Sequence, residues 1–160
     1  MKVVLVDDEQ LALDLLDSYL SKMEKVKIVG KNTDSMVAKE KILNIDVDVI
    51  FLDVHQPGIN GIELAEQILE FKPEIVVIFV TGYDEYAVRA FELDALDYLV
   101  KPISRHRLEK TIKRIENHLA LEQEKPVFKE DKVQINVFRQ LTIKNSNEKD
   151  FQPIKWRTTK

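Results

Sequence analysis

Five short apolar runs constrain what this chain can fold into: Val3–Val6, Val26–Val29, Val47–Leu52, Ile75–Val80 and Tyr98–Val100. They are rich in Val and Ile, and several show no alternation with polar residues. A strand with one face in water alternates, whereas a strand covered on both faces reads as a continuous apolar run. Between the runs the period changes to that of a helix. Leu11, Leu15, Leu16, Tyr19, Leu20 and Met23 fit one helical face, and Met36, Val37, Ile42 and Leu43 a weaker second. Ile62, Ala65, Ile68 and Leu69 make a third, and Tyr86, Ala87, Ala90 and Phe91 a fourth. Leu108, Ile112, Ile115 and Leu119 make the fifth and most regular. Strands that alternate with helices pair in parallel through right-handed crossovers. The expected product is a doubly wound α/β domain of about 120 residues, enough to bury a sufficient core.

Composition narrows the chemistry. The 160 residues include no cysteine, which excludes disulfide scaffolds, thiolate metal sites and thiol catalysis. Hydrophobic residues at 44% and charged residues at 32% fit a globular chain and argue against wholesale disorder. The first apolar run ends at Val6, with Asp7, Asp8 and Glu9 directly behind it, so no secretory signal is expected. No apolar run approaches the roughly 18 residues of a membrane span. The expectation is a cytoplasmic protein without a membrane partner. The net charge of −4 hides an asymmetry. Residues 1–120 carry a net −7 and residues 121–160 a net +3. An acidic body on a basic tail suggests two parts with different partners.

Polar residues cluster where the expected strands stop. Asp7 and Asp8 follow the first, Asp53 the third, Thr81 the fourth and Lys101 the fifth. In an open parallel sheet the carboxyl ends of the strands face one crevice, and ligands bind there. Three carboxylates, a hydroxyl and an ammonium would then share one pocket. Clustered carboxylates raise one another's pKa values unless countered. Lys101 is one counter-charge. A hard divalent cation such as Mg²⁺, which takes one or two carboxylates plus water, is the other. Such a site is poised to receive a phosphoryl group on a carboxylate nucleophile. Singly, each residue has an ordinary reading. Asp7 and Asp8 could cap the first helix, Asp53 could be a loop carboxylate, Thr81 could cap the fourth helix, and Lys101 could be a turn residue.

Taken in order, the residues resemble the receiver domain of two-component response regulators, over roughly residues 2–120. The likeness rests on Val3-Val4-Leu5-Val6-Asp7-Asp8-Glu9, Asp48-Val49-Ile50-Phe51-Leu52-Asp53-Val54, Pro57-Gly58-Ile59-Asn60-Gly61, Val80-Thr81 and Asp97-Tyr98-Leu99-Val100-Lys101-Pro102. The resemblance implies a flavodoxin-like, CheY-like sheet of five parallel strands in the order 2-1-3-4-5 with five helices. It implies that Asp53 is the phosphoacceptor, with Mg²⁺ held by Asp7, Asp8, Asp53 and the backbone carbonyl of His55. Thr81 and Lys101 would hold the phosphoryl oxygens, and the Lys101–Pro102 bond would be cis. Thr81 and Tyr98 would form the switch. A sensor histidine kinase is the implied partner, and self-assisted phosphorylation and dephosphorylation the only catalysis. The fourth helix, fifth strand and fifth helix are the implied homodimer face. Arg89 and Arg107 are expected to approach each other there, which would weaken reciprocal Arg–acid pairing. His55 is expected to be an exposed loop residue that uses its carbonyl and not its ring. His55 and Tyr83 would flank the path of attacking water. His106 and His118 are expected to be surface residues.

The domain reading is a receiver over 1–122, a linker over 123–131 and an antiparallel β fragment over 132–160. Val133, Ile135 and Val137 alternate with polar residues, Leu141 and Ile143 continue the period, and Asn145-Ser146-Asn147 marks a turn. Residues 133–157, chiefly Val137-Phe138, Leu141-Thr142-Ile143 and Ile154-Lys155-Trp156-Arg157-Thr158, resemble the opening sheet of an OmpR-type, SARP-like winged-helix effector. That resemblance implies a DNA-binding output in the full-length protein. It does not imply DNA reading by this fragment, since major-groove readout needs a recognition helix. Two alternatives stay open: a Mg²⁺-dependent phosphatase with an aspartate nucleophile, and a stand-alone interaction module that has no DNA output. A haloacid-dehalogenase-type phosphatase would want a second acid two residues after Asp53, where His55 stands.

Overall fold

The computed structural model describes residues 1–124. The elements are β1 (Lys2–Val6), α1 (Gln10–Leu20), β2 (Lys27–Asn32), α2 (Ser35–Asn44), β3 (Val49–Leu52), α3 (Gly61–Phe71), β4 (Val76–Thr81), α4 (Ala87–Glu92), β5 (Asp97–Val100) and α5 (Arg105–Glu124). All strands pair in parallel, in the order β2-β1-β3-β4-β5. This is the expected doubly wound, flavodoxin-like sheet.

Alternate residues of the central strands feed two apolar layers. Val4, Val6, Ile50, Leu52, Val77 and Phe79 pack with Ala38, Ile42, Ile62, Ala65 and Ile68 on the α2 and α3 side. Val3, Leu5, Val49, Phe51, Ile78 and Val80 pack with Leu13, Leu16, Leu20, Leu108, Ile112 and Ile115 on the α1 and α5 side. Both strand faces are covered, which is why the runs lack polar alternation. Each fully buried Val, Leu or Ile contributes about 1.5–3 kcal/mol relative to exposure.

The helix faces differ in detail from the sequence pattern. In α1 the sheet takes Leu13, Leu16 and Leu20, while Leu11 is 84% exposed and Leu15 also faces solvent. The segment carries two leucine stripes, and periodicity alone does not say which one meets the sheet. In α2, Ser35, Ala38 and Ile42 are buried, whereas Met36 and Val37 are exposed. In α4 only Ala90 is buried, and Phe91 is exposed. β2 runs on through Lys31 and Asn32, which pair with Leu5 and Val6. Ladder pairing to β1 extends this edge strand beyond its apolar residues.

Helix α5 reaches Glu124, two residues into the expected linker. The backbone divides into two units, Met1–Leu119 and Ala120–Lys160. The β fragment expected over 132–160 lies outside the described residues. Among the described residues no helix is long and apolar enough to cross a membrane.

β5 and α5 are joined by one buried carboxylate. Asp97 accepts two hydrogen bonds from Arg107, at 2.8 and 2.7 Å, one from Thr111 at 2.7 Å and one from Arg114 at 3.0 Å. It also accepts the backbone N–H of Tyr98. Arg107 is therefore paired within its own chain. Burial is the largest single influence on Asp97 and pushes its pKa up. Arg107, Thr111 and the Tyr98 N–H outweigh burial and hold it below the usual carboxylate value. A depressed folded-state pKa stabilises the fold above the unfolded value, and the contribution fades as pH falls through the folded one. Asp97→Asn should cost about 2 kcal/mol at neutral pH. In urea melts, the gap from the parent protein should shrink once pH drops below the ordinary carboxylate range.

Candidate functional site

The order of strands reverses direction about β1, so the crevice opens between the carboxyl ends of β1 and β3. The β1–β3 ladder ends at Val6 and Leu52. The next residues are Asp7 and Asp53, and the Asp53 N–H donates to the Val6 carbonyl at 2.9 Å. Asp7 and Asp53 are buried and Asp8 is exposed. Thr81 ends β4 and is fully buried, and its carbonyl accepts the Lys101 N–H at 2.7 Å. The Lys101–Pro102 peptide is cis.

Lys101 ties the cluster together. Its Nζ donates to Asp7 Oδ2 at 2.7 Å and to Asp53 Oδ2 at 3.0 Å, with Glu9 Oε2 at 3.9 Å. Burial works against the ammonium. The bonds to Asp7 and Asp53 outweigh it and hold the Lys101 pKa above the ordinary lysine value. Burial also lifts the Asp7 carboxyl above its usual value, and Lys101 and the Glu9 N–H limit the rise. Asp7, Asp8 and Asp53 each offer an oxygen, and these oxygens lie within 4.8 Å of one another. An all-oxygen, anionic donor set of this kind fits a hard divalent cation and not a soft one.

Asp7, Asp8 and Thr81 are not the caps of the helices that follow them. The N-cap of α1 is Glu9, not Asp7 or Asp8, although Asp7 Oδ1 accepts the Glu9 N–H. The N-cap of α4 is Tyr86, five residues past Thr81. The Thr81 Oγ1 is buried and has no hydrogen-bond partner. A buried hydroxyl without a partner is costly, so a donor is held ready at the rim.

His55 donates its backbone N–H to Asp53 Oδ1 at 3.3 Å. Its ring is half-buried, not exposed as expected. It lies edge-on to Tyr83 with centroids 4.0 Å apart, and to Tyr86 at 5.2 Å. Tyr98 is half-buried and donates its hydroxyl to the Tyr83 carbonyl at 2.6 Å. Burial first, then Asp84, Asp53 and Glu85, push its pKa up to about 12, so it stays a donor near neutral pH. His106 is exposed and His118 half-buried on α5.

Gly61 was legible only as a motif letter. A Cβ there would stand 2.0 Å from the Asp53 carbonyl oxygen. Its N–H donates to the Val54 carbonyl at 2.8 Å, and the Asn60 side chain caps α3 by accepting the Glu63 N–H. Gly58, at φ +87°, supplies the turn. Glycine followed by Asn-Gly ahead of an apolar helical face is the signal that points to this turn.

The family model for the response regulator receiver domain matches residues 3–113. The chain belongs to that family. This receiver is 42% identical over 121 residues to an uncharacterised response regulatory protein of Yersinia pestis, covering 74% of this chain and 50% of that one. It is 41% identical over 116 residues to the transcriptional regulatory protein BtsR of Escherichia coli K12, covering 72% and 48%. The chain thus spans about half the length of the curated relatives it matches. Among solved structures, the response regulatory domain of MrkE from Klebsiella pneumoniae superposes with a TM-score of 0.71 at 35% identity. That match covers 78% of this chain and 100% of the other.

The receiver's tight contact at Gly61 has a measurable consequence. Gly61→Ala must displace the Asp53 carbonyl, because backbone cannot yield as a flexible side chain can. A loss of about 3 kcal/mol is expected in denaturant unfolding. A change under about 0.5 kcal/mol, the level of an ordinary surface substitution, would show that the contact is slack.

Proposed function

We propose that this receiver accepts a phosphoryl group on Asp53 from a sensor histidine kinase, and that the modification drives a conformational switch. The Lys101 ammonium bonded to both Asp7 and Asp53, with Asp8 alongside, carries the reading. In the transfer a P–O bond forms to an Asp53 carboxylate oxygen and the P–N bond to the kinase imidazole breaks. Lys101 neutralises the acceptor and then a phosphoryl oxygen. Thr81 supplies its unpaired hydroxyl to another. Asp7, Asp8, Asp53 and the His55 carbonyl would hold Mg²⁺, which would supply positive charge that offsets the phosphoryl group's. Tyr98 responds to movement of Thr81 by leaving or keeping its bond to the Tyr83 carbonyl. His55 and Tyr83, already in ring contact, screen the acyl phosphate from water.

The protein is then a phosphoacceptor and not a turnover enzyme. A phosphatase of the haloacid dehalogenase type is disfavoured by His55, whose ring is packed on Tyr83 and Tyr86 where a second acid would be needed. The output we assign is transcription control through a DNA-binding effector that begins over 132–160, beyond a linker that follows α5 and runs to residue 131. One relative, of which the matched region is 48%, is a transcriptional regulatory protein, and the tail's alternation supports a sheet there. Val88, Phe91 and Val100 are exposed on α4 and β5, which supports a homodimer face shared with α5. A cytoplasmic location follows from the same assignment.

Two measurements check the chemistry. Incubation with acetyl phosphate and Mg²⁺, followed by intact-mass measurement, should give one phosphoryl adduct on the wild type and none on Asp53→Ala. An adduct that survives in Asp53→Ala, or none on the wild type, defeats the assignment. Separately, saturating Mg²⁺ should raise Tm by about 5 °C over the chelator-treated protein. Asp8→Asn should lose most of that rise.

A further inference from the structure

Gln56 lies in the loop between β3 and α3, outside the acidic cluster, yet its side chain reaches back over the strand ends. Its Nε2 donates to the main-chain oxygen of Asp53 at 3.1 Å, and at 3.5 Å to that of Val6. Val6 directly precedes Asp7 and Asp8, and its carbonyl already receives the Asp53 N–H. One amide therefore touches both strands whose ends carry the three clustered carboxylates.

The placement matters because the ladder has stopped. β1 and β3 pair up to Val6 and Leu52, one residue short of the acids. Beyond that point the separation of Asp53 from Asp7 and Asp8 depends on what holds the peptides. On one side of the Asp53 carbonyl the α carbon of Gly61 packs too closely to admit a methyl group. Gln56 donates to the same oxygen. The orientation of that peptide sets the direction of the Asp53 Cα–Cβ bond, and so the place of its carboxylate. The Gln56 Oε1 is buried without a partner. An apolar side chain of the same length would avoid that cost of about 1–3 kcal/mol but would remove the donor that holds the Asp53 and Val6 carbonyls.

We propose that Gln56 is a positioning residue, which sets the distance between the Asp53 carboxylate and the Asp7–Asp8 pair by holding the Asp53 and Val6 carbonyls. The proposal rests on the phosphoacceptor reading for its kinetic consequence and on the cluster's geometry alone for its metal-binding one.

The test compares Gln56→Met with Ser35→Ala in the full chain. Met keeps length and bulk but removes the donor. Ser35 bonds the neighbouring Pro57 carbonyl at 3.3 Å and touches neither strand end, so its loss loosens the same loop without altering the bridge. The first readout is the Mg²⁺ midpoint, followed by the amide resonances of Asp8 and His55 without a phosphodonor. The second is the rate of adduct formation with acetyl phosphate at saturating Mg²⁺. Gln56→Met should raise the midpoint and lower the rate, each about tenfold, as a sub-ångström misplacement of reacting groups would. Ser35→Ala should leave both unchanged. Wild-type behaviour in Gln56→Met overturns the proposal, and so does an equal loss in Ser35→Ala. Should Gln56→Met fail to fold, Gln56→Asn, whose shorter amide cannot span the two carbonyls, takes its place with the same expectations. Absence of an adduct on the wild type ends the phosphoacceptor reading instead, and the Mg²⁺ midpoint then decides the role of Gln56.

Discussion

The Lys101 ammonium lies between two buried carboxylates that are 94 and 48 residues away in the chain. No neutral side chain could take its place without leaving charge unpaired in a low-dielectric rim, where breaking a buried pair is strongly destabilising. The contact also constrains the fold, because β1, β3 and β5 must end at the same level for one ammonium to reach both partners. The parallel sheet guarantees this. Its strands all point one way, so their carboxyl ends form a single edge.

Around that contact the site is held open to change and not fully satisfied. Thr81 keeps a buried hydroxyl without a partner, while Tyr98 satisfies its own hydroxyl on a loop carbonyl. Asp8 faces solvent while Asp7 and Asp53 do not. Such an arrangement can be completed by an anion and a cation together, since each supplies what the other and the protein lack. On the opposite edge, Asp97 with Arg107, Arg114 and Thr111 is closed and complete. It anchors α5 to the start of β5, beside Tyr98. The contrast between an unfinished cluster and a finished one places adaptability at the crevice and rigidity behind it.

The five apolar runs and their helical intervals were enough to give the α/β class and the number of units, because strands buried on both faces cannot alternate. Asp7, Asp8, Asp53, Thr81 and Lys101 were legible because they interrupt apolar runs abruptly at strand ends. The ends of β2 were not legible. Lys31 and Asn32 are strand residues only because β1 offers them ladder partners. In α1 the period places Leu16 and Leu20 correctly but names Leu11 and Leu15 in place of Leu13 for a similar reason, since both stripes are helical and only the sheet selects one. Gln56 carried no local signal and Asp97 only its place in a motif, because their partners are main-chain oxygens and side chains that the fold brings near.

The amino-acid sequence by itself determined which residues are apolar enough to be sealed inside, where β1, β3 and β5 stop, and that acids, a hydroxyl and a lysine stand at strand ends. Tertiary structure alone decided that Asp7, Asp8 and Asp53 come within 4.8 Å of one another, that Lys101 joins two of them, and that Gly61 closes on the Asp53 peptide. The reason is geometric. Polarity and period are properties of neighbours along the chain, whereas a distance between strand ends exists only once crossovers have laid the strands side by side.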